Sequence, residues 1–147
     1  MTAIPQNWGV VVNVRKKLAK PFFAPLFDSA RGLLWNIPDR TLAAWDHAGT
    51  RSERISRYAH GSTPLVGIDG ESNPNHFDII DYMVNRYPSG GFAEPIRSVI
   101  SAFPQKRCRN LVHRAAGRSY LSRRRLSYIV DLLTLRYAEL SRICGLE

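Results

Sequence analysis

From about Ser119 or Ser122 to Cys144, the chain places Leu126, Ile129, Val130, Leu133, Tyr137, Leu140 and Cys144 at steps of three and four residues. That period puts them on one side of an α-helix longer than the average in globular domains. So long an apolar stripe is stable only when other elements cover it, and the rest of the chain has to supply them. Gly145 suits the stop, and Arg136 and Arg142 suit the negative C-terminal end of the helix dipole.

The segment just before it is the natural partner. In Pro104 to Ala116, Cys108, Leu111, Val112, Ala115 and Ala116 share one face. Lys106, Arg107, Asn110, His113 and Arg114 share the other, and Gly117 is a natural end. A basic helical hairpin over 104–145 is therefore expected. Upstream, Pro25 can open a helix carrying Leu26, Phe27, Ala30, Leu33 and Leu34, and Pro38-Asp39 one carrying Leu42 and Trp45, closed by Gly49. Ser52 to His60 aligns Ile55, Tyr58 and Ala59. Asn75 caps a stripe of Phe77, Ile80, Met83, Val84 and Tyr87, and Pro95 starts a helix with Ile96, Val99, Ile100 and Phe103 facing inward.

Residues 62–74 are rich in Gly, Pro, Ser and Asn and read as a loop, with a short strand at most at Leu65 to Ile68. Trp8 to Val14 fits a strand, while Val12 to Lys20 fits a helix start equally well. Phe22, Phe23 and Phe27 are expected to line a core. At 147 residues the chain can bury a core without cross-links. The expected fold is mainly α: a compact single-domain bundle of six or seven short helices spanning 1–147, with room for a minor β element near 9–14 and 65–68.

Charge is the second strong signal. Residues 104–147 hold 10 of the 21 basic and only 3 of the 12 acidic side chains, so most of the net charge of +9 sits in that third. Lys106, Arg107, Arg109, Arg114, Arg118, Arg123, Arg124 and Arg125 lie in a stretch without a carboxylate. A contiguous basic stripe meets one polyanion with several cations at once, each displacing a counterion. The triple arginine sits at the start of the last helix, where the dipole is already positive, and an anion docked there would relieve the repulsion. Arg15, Lys16 and Lys17 form an auxiliary basic cluster. Against this stands an acidic middle: Asp69, Glu71, Asp78, Asp81 and Glu94 face Arg86 alone between 67 and 95. The arginines could pair with it inside one molecule or across two. Tyr120 and Tyr128 lie among the arginines, but packing against neighbouring helices suits them better than stacking on bases.

Catalytic signatures are sparse. His47, His60, His76 and His113 lack the paired spacing of a metal site, and no phosphate-binding glycine loop or nucleophile elbow occurs. No cofactor or metal is implied. His60-Gly61-Ser62 beside Asp69 can be drawn as a triad, as any loop-rich sequence allows; the best enzymatic reading is a hydrolytic site around the 60–78 loop, using its acidic residues with His60 and His76. Cys108 and Cys144 fall at apolar helix positions and are expected as free thiols in a reducing, intracellular setting. No stretch approaches the roughly 20 apolar residues of a spanning helix.

These features together point to a non-enzymatic protein that binds the phosphate backbone of RNA or DNA with little sequence discrimination. Lys106, Arg107, Arg109, Arg114, Arg118 and Arg123 to Arg125 would make the contacts, assisted by Arg15, Lys16 and Lys17. One alternative is an assembly subunit of a virion or ribonucleoprotein particle, joining acidic 69–94 to basic 106–125. A regulatory protein-binding module is the other.

Overall fold

Ser122 takes an extended backbone and accepts a hydrogen bond from the Arg125 amide at 3.1 Å, opening a 22-residue helix that ends at Cys144. At the far end Gly145 has φ +64. Its amide donates to Arg142 O and that of Leu146 to Ser141 O, the paired bonds that close a helix on a left-handed residue. Side chains from outside complete the stop: Asn85 donates to the carbonyl of Ile143 and Arg97 to that of Cys144.

This computed structural model describes residues 10–11, 22–23, 33–61, 68, 70, 73–87, 91–116 and 121–146. They fall into two units, divided between Asn36 and Ile37. In the first, β1 (Val10–Val11) pairs antiparallel with β2 (Phe22–Phe23), Val10 opposite Phe23. The β reading near 9–14 thus has a strand of two residues, and its partner contains two of the phenylalanines expected in a core. The alternative helix start at 12–20 and the helix from Pro25 lie outside the described residues, apart from Leu33 and Leu34, which belong to a turn.

The second unit is helical: α1 (Asp39–His47), α2 (Arg51–His60), α3 (His76–Asp81), a π-helical turn (Tyr82–Arg86), α4 (Ala93–Ala102), α5 (Gln105–Ala116) and α6 (Arg123–Cys144). Gly49, at φ +66, makes the bend between α1 and α2 where a side chain would be strained. Asn75 opens α3 with a capping box: its side chain accepts from the amides of Phe77 and Asp78, and Asp78 returns a bond to the Asn75 amide. Most of the 62–74 loop lies outside the described residues, although Ile68 is buried and makes a single β bridge.

Helix α6 packs against every other helix of its unit. Tyr128 and Leu132 are fully buried in its first half. In its second half Cys144 clusters with Val84 and Ile100, flanked by Ile80, Ala93, Ile96, Tyr137 and Leu140. The stripe read from spacing omitted Tyr128 and Leu132, because a helix surrounded by neighbours is buried on more than one face.

Two other expectations are corrected. The stripe from Phe77 to Tyr87 is not one regular α-helix: the Tyr87 amide bonds Tyr82 O at 2.7 Å, five residues back. The wider turn carries Asn85 to Asp81 and to the end of α6, while Tyr87 is exposed. In α4, Arg97 turns inward to Cys144 O, so the covered arc runs through Ala93, Ile96, Arg97 and Ile100. Val99 lies about 100° round from Ile100 and is 62% exposed. Phe103, just past the helix end, is 45% exposed.

Candidate nucleic-acid interface

Seven of the eight basic residues of 106–125 are described, and they divide into two groups by what the fold does with them. Arg124 and Arg125 are engaged within the molecule. Arg125 is 14% exposed at its side chain; its Nε donates to Asp39 Oδ1 at 2.7 Å and its Nη2 donates to Ile37 O. Arg124 Nε donates to Asp46 Oδ2 at 3.0 Å. Both carboxylates come from α1. The Ser122 hydroxyl also donates to Asp39, so α1 supplies the acid that a helix start often carries three residues after its cap. The anion expected at the triple arginine is therefore a carboxylate of the same chain, at least for two of the three. Within the acidic middle, Asp78 is used in its capping box, and Asp81 by Asn85 and Arg86.

This α1–α6 junction forms one network. Arg51 Nε donates to Asp131 Oδ2 at 2.8 Å, a second nitrogen of its guanidinium reaches Ser127, and its carbon lies 4.1 Å from the Tyr128 ring centroid. The Tyr128 hydroxyl faces Leu42 O at 3.0 Å and Asp46 Oδ1 at 2.8 Å. Burial, then the Asp46 bond, pushes the phenol up to about 12. That same bond is the chief cause holding Asp46 below the ordinary carboxylate value, with Arg124 and Arg51 assisting. Asp39 is lowered first by the Ser122 hydroxyl and then by Arg125. Tyr128 is thus a core residue, as packing favoured; Tyr120 lies outside the described residues.

The second group is open. On α5, Gln105, Cys108, Val112 and Ala116 are partly covered, and Gln105 and Cys108, with Arg109 at the margin, border a narrow cleft shared with Val130, Leu133 and Thr134 of α6. Leu111, expected on that face, lies off its edge and is 49% exposed. Lys106, Arg107, Arg109, Asn110, His113 and Arg114 are all exposed. Lys106, Arg109, Arg114 and Arg123 form no ion pair with a carboxylate among the described residues, although the last sits in the first turn of α6. Arg107 caps the end of α4 through Ala102 O at 3.1 Å and lies over the Phe103 ring. From Lys106 to Arg114 the stripe runs about 12 Å along the helix. Arg118, Arg15, Lys16 and Lys17 lie outside the described residues.

The hydrolytic reading gains little geometry. Ser62 and Asp69 lie outside the described residues, and His60 Nδ1 sits 2.9 Å from Ser56 O. A cleft of about 330 Å³ brings His60, Asp78, Asp81 and Glu139 together with Arg142, but its carboxylates are committed to the cap, to Asn85 and to Arg142. Among the described residues no His, Cys, Asp and Glu side chains group as a metal site. Cys108 and Cys144 are free thiols. No helix among the described residues is long and apolar enough to cross a membrane. No protein-family model, curated protein or solved structure matches the chain.

Proposed function

We propose that the exposed face of α5, together with the exposed Arg123, binds the phosphate backbone of nucleic acid with little sequence discrimination. One observation carries the reading. The fold satisfies Arg124, Arg125 and Arg51 with carboxylates from α1 and α6, yet leaves Lys106, Arg109 and Arg114 facing solvent on a helix without an acid. Exposed cations on one helix, without a carboxylate partner among the described residues, raise the local potential and attract a polyanion at range. Asn110 and His113 lie within the same stripe and add hydrogen-bond donors. No base-reading geometry is needed for this, since phosphate contacts position a protein without specifying sequence. The particle-subunit alternative has less in its favour, because Asp78 and Asp81 are already engaged locally.

Titration of labelled RNA and DNA across a salt series tests the proposal. K106Q/R109Q/R114Q should weaken binding to every sequence alike and reduce the slope of log K against log salt by up to about 3. A slope identical to that of the unaltered protein would rule out α5 as the contact.

A further inference from the structure

We infer that Phe103 is a stacking platform for an unpaired base, so that the α5 face takes single-stranded rather than duplex nucleic acid; this rests on the phosphate-binding reading above. The ring stands at the corner between α4 and α5, 45% exposed, and its surroundings hold it there. The Phe103 amide bonds Ile100 O at 3.1 Å and its carbonyl accepts from Cys108 Sγ at 3.6 Å. The Arg107 guanidinium carbon lies 4.9 Å from the ring centroid, and its Nη1 is tied to Ala102 O. An arginine fixed over one face of an exposed aromatic leaves the ring presented rather than folded away. A base laid on it completes a base–Phe–Arg stack, with Lys106 and Arg109 one or two turns along to take the adjoining phosphates.

The occupant follows from charge and shape. Val99 and Leu111, 62% and 49% exposed, stand four residues to either side of the Phe103–Arg107 pair and widen the apolar margin. A duplex has no free base face to offer this corner. A second copy of the chain is disfavoured, because pairing two α5 faces sets Lys106, Arg107, Arg109 and Arg114 against their own like charges, with no carboxylate on either helix.

The test compares F103L, F103W and K106Q/R109Q/R114Q on fluorescein-labelled oligothymidine, a single-stranded RNA and a blunt-ended DNA duplex of two annealed strands. F103L keeps an apolar side chain at an exposed site and removes the π face. It should weaken single-strand binding about fivefold or more, leave the duplex unaffected and keep the salt slope, since no cation is lost. F103W should retain single-strand affinity and show added indole quenching on titration. If F103L binds single strands as the unaltered protein does while the triple variant loses binding, the stacking inference is overturned and the backbone reading stands. If the triple variant also binds normally, the backbone reading itself fails. Two other results overturn the inference outright when oligonucleotides do not bind: Phe103-dependent attachment to phosphatidylserine vesicles, or a Phe103-dependent dimer by light scattering.

Discussion

Arg123 and Arg125 are two residues apart in one turn of α6, yet the structure assigns them opposite effects on stability. Replacing Arg125 by Gln removes the charge-assisted bond to Asp39 and the bond to Ile37 O from a side chain that is 14% exposed. Hydrogen bonds to charged groups contribute about 1.5–3 kcal/mol each when well covered. Asp39 is 42% exposed at its side chain, so water recovers part of that and a net loss of about 2 kcal/mol is expected. Replacing Arg123 by Gln removes a cation at the positive end of a helix, without an ion-pair partner among the described residues; a gain of about 0.3–1 kcal/mol is expected. With m of about 1–3 kcal/mol/M, R125Q should lower the urea midpoint by roughly 1 M and R123Q should raise it slightly. Circular dichroism at 222 nm follows both. Binding should reverse the order: R123Q reduces the salt slope by about 1, and folded R125Q leaves it unchanged. Equal midpoint shifts for the two variants would falsify the division of the arginines into structural and exposed groups.

Three further outcomes follow from the fold. Leu132→Ala, at a fully buried position of α6, should cost about 2–5 kcal/mol by chemical denaturation. Gly145→Ala should cost about 1–2 kcal/mol, because φ +64 forces a Cβ into the left-handed region; a thermal melt shows it. Asp39 and Asp46 are both held below their ordinary value of 3.8. Their stabilising contribution is complete above that value and is lost as pH falls through the lower folded-state values. A melting-temperature profile should therefore drop on the acid side, and D39N should flatten that limb.

Helix boundaries were legible wherever the chemistry is local. Asn75, Ser122, Gly49 and Gly145 act on backbone groups within a few residues, so their types announce their places. The faces of α4, α5 and α6 were less so. Arg97 occupies an inward position through a bond to Cys144 O, 47 residues away, and displaces the covered arc from Val99. The π-helical turn at Tyr82–Arg86 shifts the phase of a stripe that residue types alone leave regular. At the basic block, sequence shows eight cations and no acid. Which of them meet a carboxylate depends on α1 arriving from 86 residues upstream, a fact of tertiary packing.

Because α1 to α5 all lean on α6, loosening that one helix withdraws support from the whole helical unit at once. Amides around Ile129 and Leu132 should then exchange with deuterium only through global opening, while those of the short outer helices fray on their own. A protease cut inside α6 should release every face packed on it together, leaving no stable fragment of the helical unit.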